Sequence, residues 1–158
     1  MLTTTAVTIT VATETVAESA PSLSRARLDA GLHALEHLLA GMLPMVVISD
    51  LADLGSHSGL AEDPSQGLSG QQFGTITVYD RQPGCGYAAR AYEHTDAWFA
   101  AAADRIAHCP CENGCPACIL SPGCGSTRPL DKLTCRLLLE SMTPVDLAGA
   151  PGTEASLP

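Results

Sequence analysis

Five cysteines within sixteen residues constrain this chain more than any other feature of its sequence. They are Cys109, Cys111, Cys115, Cys118 and Cys124, in the run CPCENGCPACILSPGC. In a reducing compartment such clustering indicates a metal site rather than disulfides. Four thiolates satisfy tetrahedral Zn²⁺, and the two-residue gap between Cys115 and Cys118 is typical of a zinc knuckle. The run therefore predicts a zinc site that orders an irregular stretch of chain.

Five cysteines compete for four coordination positions, so the spacing leaves the ligand set open. The first choice is Cys109, Cys111, Cys115 and Cys118, with Cys124 as the alternative to either of the first two. An iron–sulfur cluster accepts the same four thiolates, and a compact turn of reduced thiols is the metal-free alternative. A Zn²⁺ closed by four thiolates has no open coordination position, so its expected role is structural, not catalytic.

The charge of the chain argues against a free-standing nucleic-acid binder. Its formal net charge is −9, and sequence-independent affinity for phosphate depends on clustered Lys and Arg. The exception is 109–136, where Arg128, Lys132 and Arg136 nearly balance two acids. These three cations are four residues apart, which predicts one side of the last helix and a possible contact with DNA. A solvated helix face explains them equally well.

Strands are predicted where apolar residues alternate with polar ones. The period-two segments TAVTITVATETV at 5–16 and FGTITVYD at 73–80 predict two strands, each with one buried face. The apolar, β-branched run MVVIS at 45–49 predicts a third, buried strand. Residues 55–72 are rich in Gly and Ser, which predicts a loop.

Helices are predicted where the period changes to three and four residues. Leu28, Leu32, Leu35 and Leu39 predict an amphipathic helix that ends near Gly41. An Ala-rich helix is expected at about 87–107, with Tyr92, Trp98 and Ile106 as its bulky contacts. Leu130, Leu133 and Leu137 predict a last helix up to Met142, with Pro129 in its first turn and Cys135 off the apolar face.

These elements predict an α+β fold, in which a small mixed or antiparallel sheet packs on two or three helices. The zinc knuckle, 109–124, precedes the last helix. The expected domain is 1–142, followed by a disordered tail, 143–158, that has no periodicity. The start of the sequence has no signal-peptide pattern and no apolar run long enough to span a bilayer occurs, so a soluble, cytoplasmic protein without membrane contact is expected.

A second polar site is possible on the first long helix. His33 and His37 are four residues apart, a spacing that lets two imidazoles share a metal, and Asp50 and Asp53, with Glu36, can add oxygen ligands. The helical wheel places both histidines roughly 140° to 180° from the leucine stripe. They are therefore expected to face solvent or a second layer, and a plain polar helix face is the simpler interpretation.

A hydrolase is the alternative function. Cys85 lies in the turn Pro83-Gly84-Cys85-Gly86 between a strand and a helix, where a nucleophile can sit near free backbone N–H groups. His94 or His108 would serve as its base, and the His33 and His37 pair would be the metal-dependent variant. No third orienting residue can be identified from the spacing.

Three segments, in order, resemble one known family. The run CPCENGCPACILSPGCGSTRPLDK resembles the signature of the C-terminal zinc-binding domain of MrfA-type DEAD/DEAH-box helicases of superfamily 2. The segments GLHALEHLLAGMLP and TITVYDRQPGCGYAARAYE, together with Asp50 to Gly55, resemble other recurrent parts of that domain. The resemblance covers about residues 3 to 142.

This resemblance implies a zinc-bearing module of an ATP-driven 3′ to 5′ DNA helicase that acts in DNA repair. The sequence has no G-x-x-x-x-G-K-[ST] phosphate loop and no Asp-Glu helicase box, so it cannot bind Mg-ATP in that manner. The expectation is a non-catalytic accessory domain, with the motor supplied by another domain or chain and DNA reached through it.

Overall fold

The structure, a computed structural model, describes residues 3–62, 72–142 and 155–156. The strands are β1 (Thr3–Thr4), β2 (Ala6–Ala12), β3 (Leu54–Glu62), β4 (Gln72–Asp80) and β5 (Ala155–Ser156). The helices are α1 (Thr13–Ser19), α2 (Arg25–Met42), α3 (Tyr87–Glu93), α4 (Thr95–His108) and α5 (Lys132–Ser141). An antiparallel sheet of order β2-β4-β3 packs against α2, and the cysteine-rich segment precedes α5, so the predicted α+β fold is confirmed.

Helix α2 is the centre of the fold. It begins after Ser24, whose hydroxyl accepts a hydrogen bond from the Arg27 N–H, as an N-cap should. The leucine stripe predicted it correctly, but the helix is buried on every side from Ala30 to Leu39. A helix surrounded in this way lies inside the core rather than on its surface. Its polar side chains must therefore find partners within the protein.

The central strand of the sheet is β4. It pairs with β2 on one side, where Ile9 lies opposite Ile76, and with β3 on the other, where Ser58 lies opposite Ile76. Ile76 and Val78 are both fully buried, as their period-two spacing predicted. The described part of the chain contains no helix long and apolar enough to cross a membrane.

Strand β3 was hidden in a segment predicted to be a loop. The expectation of a loop over 55–72 is wrong for 55–62, which form β3, and for Gln72, which begins β4; residues 63–71 lie outside the described part. The small residues of β3 fit its neighbours, since a Cβ on Gly55 would lie 2.2 Å from the Tyr79 ring. Ser58 is buried and donates to the Glu36 carboxylate.

Two other strand predictions need correction. The first strand ends at Ala12, and Thr13–Ser19 form α1, which buries Val16. No strand forms at 45–49, because a 3-10 turn at Leu43–Met45 continues the path of α2. Val47 is buried in the core there and Val46 packs against it, while Ile48 is 93% exposed.

The predicted helix over 87–107 is divided in two at His94, which ends α3 and precedes α4. The buried Asp80 carboxylate starts α3 by accepting hydrogen bonds from the N–H groups of Gly86 and Ala88. Trp98 is fully buried and donates from its indole to the Leu39 carbonyl, 2.7 Å away. Tyr92, predicted as a core contact, is instead exposed.

Helix α5 buries a different face from the one predicted. It begins at Lys132, capped by Asp131, so Pro129 and Leu130 precede the helix. Leu133 is exposed, whereas a face of four residues is buried: Thr134, Cys135, Leu138 and Leu139. The leucine spacing was misleading because α5 packs against Gly31 of α2 through Thr134, a polar residue. The predicted tail, 143–158, lies outside the described residues apart from Ala155–Ser156, which pair with Thr3–Thr4.

The contact between α2 and α5 predicts the effect of one substitution. A Cβ on Gly31 would lie 2.4 Å from the Thr134 methyl and 3.0 Å from the Thr134 backbone, so Gly31→Ala should cost about 1–3 kcal/mol in the free energy of unfolding. Gly41→Ala is the matched control, since a Cβ there meets nothing within 4 Å and alanine favours helix by up to about 1 kcal/mol. Urea denaturation at fixed zinc concentration measures both. Equal stability of the two variants would contradict this close packing.

Candidate metal centres

The structure brings four sulfurs together, which we call the four-cysteine cluster: Cys109, Cys111, Cys115 and Cys118. The Sγ atom of Cys109 lies 3.5 Å from that of Cys111 and 3.5 Å from that of Cys115. Cys118 completes the group, 3.5 Å from Cys111 and 3.8 Å from Cys115. A zinc tetrahedron with Zn–S bonds of about 2.3 Å has edges of about 3.8 Å. The sulfurs are too far apart for disulfides and are spaced for one tetrahedral ion.

Local backbone geometry places these sulfurs. Helix α4 ends at His108 and delivers Cys109 in an extended conformation. Gly114 has φ +117°, and a Cβ there would lie 2.7 Å from the Ile119 side chain, so this turn requires glycine. Beyond it the Cys118 N–H donates to the Cys115 carbonyl, and the Cys115 N–H donates to the Cys118 sulfur, 3.3 Å away.

A lysine from α5 closes the cluster. The Lys132 ammonium donates to the carbonyls of Cys109 and Cys111 and to the Cys111 sulfur, which is 3.2 Å away. Desolvation by itself raises the pKa of the Cys111 thiol, but the hydrogen bonds from Lys132 and the neighbouring thiols outweigh it and lower that pKa to about 6. The first turn of α5 is thereby joined to the cysteine segment.

The four thiols of the cluster do not ionise equally easily. Burial raises the pKa of Cys118 to about 12, and its sulfur neighbours add to that rise. Once one thiol is ionised, each neighbour is harder to ionise, because like charges repel at these distances. A dication at the centre reverses the effect and stabilises all four thiolates. The donor set therefore suits a cation of the Zn²⁺ class.

Cys124 does not join the four-cysteine cluster. Its sulfur lies 3.5 Å from Nε2 of His33, and these two residues form a second group with His37. We call these three residues the histidine–cysteine group. Of the two expected surroundings for the histidines, solvent is wrong, because both residues are buried. They face a second layer, formed by the segment that contains Ile119 and Cys124. Burial lowers the pKa of His33, and the charges of His37 and Arg128 contribute.

The predicted oxygen ligands of the second site lie elsewhere. Asp50 is exposed and caps a 3-10 turn by accepting from the Ala52 N–H, and neither it nor Asp53 belongs to the histidine–cysteine group. Nothing in the spacing pointed to Cys124 as the third donor, except that it was the fifth cysteine for four positions. The Glu36 carboxylate accepts from Ser56 and Ser58, which the loop prediction concealed.

The three cations predicted for DNA contact do not share one helix face. Arg128 precedes α5, and its guanidinium makes a two-pronged ion pair with Asp29, with distances of 2.7 and 3.2 Å, while also donating to the Ser58 carbonyl. The Lys132 ammonium donates its hydrogen bonds to the four-cysteine cluster. Arg136, exposed, pairs with Glu140 one turn further along α5. The four-residue spacing placed Arg128 on the last helix, which is wrong because α5 begins only at Lys132.

The Cys85 turn has no catalytic geometry within the described residues. Gly84 and Gly86 flank Cys85 with φ values of +91° and +72°, so both need glycine. His94 is exposed between α3 and α4, and His108 is exposed and pairs with Asp104. No hydrogen bond joins Cys85 to either histidine in that part of the chain.

The order of these elements matches a known domain. The sequence model of the MrfA Zn-binding domain matches residues 35–119, which include the second half of α2, the sheet strands β3 and β4, and the four-cysteine cluster. The chain belongs to the MrfA Zn-binding domain family. The alternative of a hydrolase has no support from this match.

The relatives of this chain include a helicase and a small protein. The ATP-dependent helicase hrq1 of Schizosaccharomyces pombe is 29% identical over 132 residues, which are 77% of this chain and 12% of that protein. The uncharacterized protein MJ1572.1 of Methanocaldococcus jannaschii is 29% identical over 113 residues, which are 70% of this chain and 98% of that protein. The chain thus spans a small part of the helicase and nearly all of the archaeal protein.

A solved structure has the same fold. The helicase MrfA in its crystal structure bound to DNA is 26% identical, with a TM-score of 0.60 over 78% of this chain and 16% of that chain. The chain is therefore a small domain of the kind that MrfA-like helicases carry, and it contains no motor.

The contact of Lys132 with the four-cysteine cluster predicts a loss of metal affinity. Outer-shell groups that hold metal ligands are worth about 10–100-fold in affinity, so Lys132→Gln should weaken Zn²⁺ binding by about that factor. Arg136→Gln removes one positive charge from the same helix and is the matched control, since its partner is Glu140. Competition against a chromogenic chelator measures both. Equal affinities for the two variants would assign Lys132 no role in metal binding.

Proposed function

We propose that the chain is a non-catalytic accessory domain that folds around one structural Zn²⁺ held by the four-cysteine cluster. The observation that carries this proposal is the set of sulfur separations, 3.5 to 3.8 Å, which suit the edges of a zinc tetrahedron. Four thiolates fill the coordination sphere, so the ion has no position for a substrate. Membership of a zinc-binding family supports the same assignment.

The ion would fasten the last helix to the core. Within the described residues, no regular element lies between the end of α4 and Asp131, which leaves few backbone hydrogen bonds to fix this stretch. Metal binding can supply that missing folding free energy, as it does in small zinc domains. The hydrogen bonds of Lys132 then hold the first turn of α5 against the ordered cluster.

The partner we propose is a helicase motor, on the same polypeptide or on another chain. Support comes from relatives that are ATP-dependent helicases and from the likeness to MrfA, whose crystal structure is a complex with DNA. Contact with DNA would occur through that motor, in the cytoplasm, and DNA repair is the process that this kinship favours. The net charge of −9 supports an indirect role in DNA binding.

Loss of a cluster cysteine should remove one zinc ion. Cys118→Ser, with Cys115→Ser as a second variant, is expected to hold one Zn²⁺ fewer per chain than the wild type and to unfold at a markedly lower temperature. Cys85→Ser is the control, because Cys85 lies outside the cluster. Elemental analysis and thermal unfolding measure the two effects. Full zinc content in the Cys118→Ser protein would overturn the proposed ligand set.

Direct DNA binding by the chain alone should be weak. Arg128 and Arg136 are paired with acids and Lys132 with carbonyls, so a single-stranded oligonucleotide should bind no more tightly than about 10⁻⁴ M at physiological salt. Fluorescence anisotropy over a salt series measures this affinity. Micromolar binding that Arg136→Gln weakens, while Arg90→Gln does not, would instead establish α5 as a DNA contact.

A further inference from the structure

The histidine–cysteine group has the donors and the spacing of a metal site. The ligand atoms of His33, His37 and Cys124 all lie within 4.8 Å of one another. A tetrahedral Zn²⁺ with bonds of about 2.05 Å to nitrogen and 2.3 Å to sulfur separates those two atoms by about 3.6 Å. The separation between His33 Nε2 and Cys124 Sγ is 3.5 Å. We propose that these three residues bind a second divalent metal ion, Zn²⁺ in the first instance, with one coordination position open.

Backbone contacts prepare both histidines for this role. Nδ1 of His37 lies 2.8 Å from the Ile119 carbonyl, and Nδ1 of His33 lies 3.3 Å from the Pro129 carbonyl. Since a carbonyl oxygen only accepts, each Nδ1 carries the proton, and the neutral ring keeps the lone pair on Nε2. Metal-binding histidines are held in the same way by an outer-shell acceptor. The two histidine rings also contact each other edge to face, with 4.5 Å between their centroids. That contact does not explain why both Nδ1 atoms point at backbone carbonyls.

The charges around the group suit a dication. Two neutral imidazoles and one thiolate leave a bound dication with a single positive charge. The Glu36 carboxylate, buried between Ser56 and Ser58 and lining the same cavity, offsets that charge. Arg128 and Arg81 also line the cavity. The ion pair with Asp29 offsets part of the Arg128 charge, which still contributes to the lowered pKa of His33. The negative charge that favours a cation here therefore comes from Glu36 and the Cys124 thiolate.

The open position would face a cavity. A space of about 800 Å³ borders all three donors, together with Glu36, Arg128 and the segment 116–126. Pockets for small ligands are commonly 300–1,000 Å³. Zinc sites with three protein ligands keep the fourth position for water or an exchangeable ligand, unlike closed structural sites. The geometry therefore points to water, or a small anion in its place, as the fourth ligand.

Counting metal ions tests the proposal. At saturating Zn²⁺, native mass spectrometry of the wild-type chain should show two ions, and Cys124→Ala should retain one. Two controls should keep both ions: Cys85→Ala, and His57→Ala, which removes an exposed histidine that lines the cavity outside the group. Cys118→Ser is expected to lose the other ion, so failure of this proposal and failure of the four-cysteine site give different patterns. A single ion in the wild type that Cys124→Ala retains, or two ions in Cys124→Ala, would overturn the second site. A single ion that Cys124→Ala loses and Cys118→Ser retains would instead overturn the four-cysteine site.

Cobalt provides an independent measurement. In the fully Co²⁺-loaded protein, Cys124→Ala should reduce the thiolate-to-metal charge-transfer band by about one fifth, because one of five thiolate ligands is lost. Azide should shift the visible bands of the wild type and leave those of Cys124→Ala unchanged. An unchanged charge-transfer band in Cys124→Ala would refute the sulfur ligand. A wild-type spectrum insensitive to azide would show that the site is closed, contrary to the proposal.

Discussion

The burial of α2 on all sides is the constraint on which the rest of this structure depends. The sheet covers one side of the helix, α4 reaches it through the indole of Trp98, and α5 reaches it where Gly31 has no side chain. A helix in this position has no solvent face on which to place polar groups. Each must instead have a partner nearby, because an unpaired polar group in the core costs a few kcal/mol. The carboxylate and imidazoles of α2 are fixed in place for that reason.

The two candidate metal centres divide the cysteine-rich segment between them. The first part of the segment, 109–118, turns on itself, packs against the core and accepts hydrogen bonds from the Lys132 ammonium. The second part lies against α2, where the Ile119 and Pro129 carbonyls accept from the two histidines. Coordination chemistry differs accordingly: four thiolates make a closed set, whereas two imidazoles and one thiolate leave room for a further ligand. One short segment thus supports two kinds of centre because its two parts have different neighbours.

Much of the fold could be predicted from periodicity, and the failures have physical causes. Strands β2 and β4 and helix α2 bury apolar side chains at regular intervals, so their sequences show them. Strand β3 has no such apolar pattern, because Gly55 packs against the Tyr79 ring and Ser58 donates a hydrogen bond to Glu36. The cysteine spacing indicated a metal site without a structure. The environment of His33 did not follow from a helical wheel, which assumes one buried face and one exposed face.

The contacts that fix the cysteine-rich segment join residues far apart along the chain. The bond from His37 to Ile119 spans 82 positions, and the ion pair of Arg27 with Asp131 spans 104. Closing loops of this size costs chain entropy before the contact forms, and non-local contacts of this kind slow folding. Because 91 positions separate His33 from Cys124, the histidines cannot meet their partner sulfur until β3, β4, α3, α4 and the four-cysteine cluster have all been made. Metal capture at that centre would therefore report the completion of the fold rather than its beginning.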